Sequence, residues 1–132
     1  NIAEIVKLSL VAISAVSLMV SGLGVMTVMS ASVTERTHEI GIKKAVGAKN
    51  AAILGEFIAE GCLLSFYGAI LGLLAGQGIT WIACQLLSLE FQTDPTLLTA
   101  GAVMTVLLGT VFSAKPALRA AQLDPVKALA SE

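Results

Sequence analysis

Three uncharged stretches divide the chain. Residues 8–34 lie between Lys7 and Glu35, residues 61–89 between Glu60 and Glu90, and residues 95–114 between Asp94 and Lys115. A helix needs about 20 apolar residues to cross the hydrocarbon of a bilayer, with a range of roughly 17–25. The first two stretches exceed that length and the third reaches it. Long helices of a soluble bundle carry a charged face at the helical period, and none of these does. The pattern predicts an all-α membrane protein, one domain over 1–132, with transmembrane helices at about 8–34, 61–89 and 95–114. A short helix at about 34–47 is predicted between the first two spans, and an interfacial helical tail over 115–132.

The basic residues give the orientation. Segment 35–60 contains Arg36, Lys43, Lys44 and Lys49, and the tail contains Lys115, Arg119 and Lys127, whereas the link 90–94 holds only Glu90 and Asp94. Cytoplasmic loops carry the excess of Lys and Arg. Segment 35–60 and the tail are therefore expected in the cytoplasm, and the link and residue 1 outside, with Lys7 the single dissenting charge. An outside start, at Asn1 rather than Met, calls for an upstream span and an external domain. No secretory signal with a cleavage site is visible at that end.

Composition agrees with a lipid environment. The chain is 56% hydrophobic and 13% charged, against about 45–50% and about 25% for soluble domains. Net charge is −1, so no basic excess points to nucleic acid. Cys62 and Cys84 fall on one predicted helix, where about 1.5 Å of rise per residue separates them by roughly 33 Å. A disulfide bridges Cα atoms about 4.4–6.8 Å apart, so they are read as packing residues. Gly68, Gly72 and Gly76 recur every fourth residue and share one helical face, with Gly61 and Gly78 nearby. Small residues so spaced let helix backbones approach closely in lipid. Ser14, Ser17, Ser21, Gly22 and Gly24 lend the first span similar surfaces, and Trp81 falls near the outer interface. The Gly76-Gln77-Gly78 run follows no strand and is no dinucleotide fingerprint. Nothing in the spans names a substrate.

The informative stretch is Thr34, Glu35, Arg36, Thr37, His38, Glu39, Ile40, Gly41, Ile42, Lys43, Lys44, Ala45, Val46 and Gly47. Ser32 and Glu35 fit a capping box, and Gly47 suits the left-handed residue that closes a helix. Acids early and lysines late complement the helix dipole. Ile42, Ala45 and Val46 form an apolar edge beside the charges. The segment reads as a protein-docking helix or as an ordinary solvated loop helix. His38 is the only histidine, so His38-Glu39 is no zinc-protease motif and is read as a solvated loop residue. Glu56 and Glu60 lie one turn apart; snorkelling, or pairing with Lys49, accounts for them without catalysis.

The run Glu-Arg-Thr-His-Glu-Ile-Gly-Ile-Lys-Lys-Ala-Val-Gly-Ala at 35–48 resembles the signature of the FtsX-like permeases, which include MacB-type exporters. The run Pro-Ala-Leu-Arg-Ala-Ala-Gln-Leu-Asp-Pro-Val-Lys-Ala-Leu at 116–129 resembles the ending of that family. There Asp124 is a good N-cap and Pro125 a good first helical residue, so the tail reads as two short helical pieces. Departures from the family pattern are His38 for arginine or lysine, Ser113 for glycine, and Lys115 for an apolar or aromatic residue.

The resemblance implies that 34–47 is a coupling helix fitting a cleft on a nucleotide-binding protein, and that the chain matches spans two to four of four. It implies a dimer of ABC ATPases, a second permease copy or related permease, an extracytoplasmic partner, and the bacterial cytoplasmic membrane. No Walker-type phosphate loop occurs here, so ATP and Mg are expected on the partner ATPase, with no catalytic residue, metal or cofactor in this chain. The expected output is export or extraction of a substrate. The alternative is signalling to an external hydrolase or sensor without transport.

Overall fold

The computed structural model describes residues 1–88, 90, 93–124, 126 and 128. Four helices follow one another: α1 (Ile2–Glu35), α2 (Thr37–Ala45), α3 (Asn50–Leu87) and α4 (Pro95–Ala121), with no strand among the described residues. Helices α1, α3 and α4 are long and apolar enough to cross a membrane. The three-span, all-α reading therefore holds. At about 1.5 Å per residue, the 34 residues of α1 and 38 of α3 run roughly 51 and 57 Å. Both exceed a hydrocarbon core of about 30 Å, so each helix carries an end beyond it.

Helix α1 overruns its predicted end. The expected capping box does not form: Ser32 and Glu35 both lie inside α1, and Arg36 alone separates α1 from α2. Hydroxyls explain the continuation. Thr34 Oγ1 donates to Ser30 O at 2.9 Å, and Thr37 Oγ1 donates to Val33 O at 3.0 Å and Thr34 O at 2.9 Å. The two Thr37 bonds occupy carbonyls that the last turn of α1 would otherwise leave open. Thr34 and Glu35 thus belong to α1, and the short helix is narrower than 34–47.

Small residues decide how the long helices meet. A Cβ added at Gly61 would land on the Ser113 side chain, and one added at Gly109 on that of Ser65. One step of four up α3 matches one step of four down α4, so the two run antiparallel in a fixed register. Continuing it sets Phe57 opposite Ala117 and Ile53 opposite Ala121, all buried. Burying a hydroxyl costs free energy unless it is hydrogen-bonded. Ser65 Oγ donates to Gly61 O at 2.8 Å and Ser113 Oγ to Thr110 O at 2.7 Å. On α1, Gly22 makes the room that the Phe112 ring of α4 fills.

The expected contact face at Gly68, Gly72 and Gly76 is not used within the chain, because nothing stands within 4 Å of a Cβ built at any of them. Close helix approach happens one to two turns away, at Gly61 and Ser65, where serine rather than leucine faces the partner. Burial is confined to one end of the bundle. Met29 and Val33 of α1, Ile40 of α2, Ile53 and Phe57 of α3, and Ala117 and Ala120 of α4 make one core. Towards the opposite end the described side chains of all three spans are exposed or half-exposed. Cys62 and Cys84 are free thiols.

The first of the two expected tail pieces is not separate. Helix α4 runs on through Lys115 and Pro116 to Ala121. Proline in a helix interior removes one backbone bond, but Pro116, Ala117, Ala120 and Ala121 are all buried, and that packing holds the helix together. At the other end Asp94 caps α4 by accepting from Thr96 N at 2.9 Å, with Pro95 as first helical residue. Asp124 accepts from Val126 N at 3.0 Å, as an N-cap does; Pro125 and Lys127 lie outside the described residues.

Candidate functional site

The candidate site is α2 and what holds it. Arg36 Nε donates to Glu39 Oε2 at 3.1 Å, and its guanidinium lies 3.6 Å from Glu56 and 3.4 Å from Glu60 on α3. Lys43 Nζ lies 3.1 Å from Glu39 and 2.8 Å from Glu56. Two cations thus bind three carboxylates across the junction of α1, α2 and α3. Arg36 also lies 5.7 Å from the centroid of the buried Phe57 ring, within cation–π range. Single exposed ion pairs contribute about 0–1 kcal/mol, and networks with defined geometry are the exception. The hydrogen bond from Arg36, then that from Lys43, lowers the Glu39 carboxyl to about 2 from 4.5. Hydrogen bonding to Glu39 raises Arg36, and that to Glu56, then Glu39, raises Lys43.

Lys44 points elsewhere. Its Nζ donates to Ala121 O at 2.6 Å and to Leu123 O at 2.7 Å, beyond the end of α4. Ile40 and Gly41 are buried on the inner side of α2. Gly41 is therefore glycine on the face turned to its own chain, and the helix runs through it without a break. The outer side presents His38, Ile42, Ala45 and Val46, all exposed, with Ile42 47% and Val46 84% accessible. His38 stands on a helix, not in a loop. Gly47, at φ +99°, ends α2 as its position promised. Gly47 N donates to Lys44 O and Ala48 N to Lys43 O, each at 3.0 Å, which is the Schellman closure of a helix.

The structure thus gathers Arg36, Glu39 and Lys43 into one network and leaves His38, Ile42, Ala45 and Val46 as a free outer face. Glu56 and Glu60, read as snorkelling or as paired with Lys49, pair instead with Arg36 and Lys43. Sequence reasoning missed both acids as part of the site. A signal was present: four cations in 35–60 are matched by Glu35, Glu39, Glu56 and Glu60, a balance that internal pairing explains. Among the described residues no cluster of His, Cys, Asp or Glu is arranged to hold a metal ion.

The model of the FtsX-like permease C-terminal family matches residues 11–125. The macrolide export ATP-binding/permease protein MacB of Nitrobacter winogradskyi is 42% identical over 94% of this chain and 19% of its own length. MacB of Acinetobacter baylyi is 45% identical over 92% of the chain and 18% of its own length. The ABC transporter permease YvrN of Bacillus subtilis is 42% identical over 91% of the chain and 29% of its own length. The chain spans less than a third of the length of these relatives. A match that takes in all three spans, α2 and most of the tail establishes that the chain belongs to the FtsX-like permease C-terminal family.

Proposed function

We propose that this chain is the membrane-embedded C-terminal part of an ABC transporter permease, and that α2 is the coupling helix on which a cytoplasmic ATPase docks. The observation that carries the reading is the outer face of α2. Ile42, 47% accessible, and Val46, the residue that caps α2, 84% accessible, stand at the end of the bundle that holds the core, on an element fastened from behind by Arg36 and Lys43. Exposed apolar side chains with a charged rim suit a protein partner. Rigid backing suits force, since an element free to rock would absorb a partner's movement. The charge pattern of segment 35–60 supports a cytoplasmic position for α2, and the bacterial relatives support the bacterial cytoplasmic membrane as location.

In this reading a dimer of ATPases binds ATP and Mg, closes, and pushes α2. The core of Met29, Val33, Ile40, Phe57 and Ala117 passes the movement to the spans. A second permease copy or a related permease completes the machine, with an extracytoplasmic partner on the far side. Export or extraction of a substrate is favoured over signalling because relatives carry the description macrolide export. The test is co-purification of the permease with its ATPase after Ile42→Glu or Val46→Asp. Binding should be lost while the permease remains folded. Normal binding in both variants would remove α2 as the docking helix.

A further inference from the structure

We propose that Lys44 is a positioning residue that fastens α2 to the end of α4, so that movement of α2 is delivered to α4 as directly as to α1 and α3. The inference rests on the coupling role proposed for α2. Its starting point is a divergence between neighbours. Lys43 and Lys44 are adjacent, yet the first is held by Glu39 and Glu56 and the second by the main chain at 121 and 123.

The chain connects α2 to α1 through Arg36 and to α3 through residues 46–49. It offers α4 no such direct connection, because α4 follows α3 at its other end. Any direct link from α2 to α4 must be non-covalent. Ile40 shares the core with Ala117 and Ala120, but apolar contact is non-directional and permits sliding. The ammonium of Lys44 supplies direction. A helix end leaves its last carbonyls without intrahelical partners and with partial negative charge. Lys44 Nζ reaches one such carbonyl, Ala121 O at 2.6 Å, and Leu123 O at 2.7 Å beyond it. Both are short, as charge-assisted bonds are. Ala120 and Ala121 are buried around this point and Lys44 is half-buried, so water competes poorly for the same carbonyls. One side chain therefore pins the register of α2 against α4.

The experiment uses the complete permease–ATPase complex in lipid nanodiscs. Spin labels are placed at position 10 on α1 or position 97 on α4, both exposed in this chain. The distance between the two copies of each label is measured without nucleotide and with ATP trapped by vanadate. In the unsubstituted complex both distances should change. In Lys44→Met the change at 97 should fall by at least half while that at 10 persists, and Lys44→Arg should restore it. An unchanged response at 97 in Lys44→Met would overturn the proposal and leave the coupling role of α2 standing. Loss of ATPase binding in Lys44→Met would also overturn it, by assigning Lys44 to the docking surface. No movement at either label in the unsubstituted complex would remove the coupling role and the proposal together.

Discussion

The side chain of Ser113 occupies the space that a Cβ on Gly61 would need. This contact is one of two that bring α3 and α4 close; its mirror, Ser65 against Gly109, lies one turn along. The pairing makes a sharp prediction. Gly61→Ala should destabilise the helix pair by about 1–3 kcal/mol, the usual cost of overpacking. Ser113→Gly in the same chain should recover most of that loss, because it removes the atoms struck. Thermal unfolding of the two single variants and the double variant in detergent measures the coupling. Strict additivity would show that these residues do not share the contact.

Gly72 should behave in the opposite way. No atom of the chain lies within 4 Å of a Cβ built there, so Gly72→Leu should leave the thermal stability of the isolated permease within about 0.5 kcal/mol, as a surface change does. If its face meets another helix in the assembled transporter, the same variant should lower the yield of permease dimer. Size-exclusion chromatography with light scattering separates the two effects. A stability loss without any change in assembly would place the contact inside the chain after all.

What the sequence revealed, and what it concealed, follows from how local each feature is. Uncharged runs of helical length made the three spans legible, and Gly47 announced the end of α2, because both depend on neighbouring residues only. The break at Arg36 was hidden, since Ser32 and Glu35 satisfy a capping pattern that the threonine hydroxyls override. The roles of Glu56 and Lys44 were hidden too. Their partners lie 13 residues away for Glu56 and 77 and 79 away for Lys44, and only the packing of α2 against α3 and α4 brings them together. The glycine face at 68, 72 and 76 has the right spacing for a helix contact, but spacing alone does not say with which helix.

Glu39 predicts the acid response of the site. Its folded-state pKa, about 2, lies below the ordinary 4.5. A group so depressed contributes stability that is present above the ordinary value and is lost as pH falls through the folded one. The Arg36–Glu39–Lys43 network should therefore be insensitive to pH between 8 and 5, an interval wholly above about 4.5. It should loosen as pH falls from about 4.5 towards about 2. Carbon-13 NMR of the Glu39 carboxyl in detergent reads this directly. A midpoint near 4.5 would show that Arg36 and Lys43 do not hold it. High salt should shift the midpoint upward, since exposed charges are screened over about 3 Å at 1 M.

Phe57 is the residue on which the two halves of the site depend together. It is 2% accessible and packs in the core that contains Met29, Ile40 and Ala117. It also lies beneath Arg36, the cation that binds Glu39 and Glu60. Truncation should therefore act twice. Phe57→Ala should cost about 3–5 kcal/mol through lost burial and the cavity left behind, and should also free the Arg36 side chain. Phe57→Leu keeps most of the volume and should cost less than about 1.5 kcal/mol, but it removes the ring face and so the cation–π part of the contact. The variants therefore separate packing from support of Arg36. If both matter, Phe57→Leu should stay close to the unsubstituted protein in thermal unfolding, yet weaken ATPase binding measurably in co-purification. Phe57→Ala should fail in both assays. As a control, Leu71→Ala at an exposed position of α3 should change neither. Unfolding of Phe57→Ala at the unsubstituted temperature would mean that this core does not hold α2 against the spans.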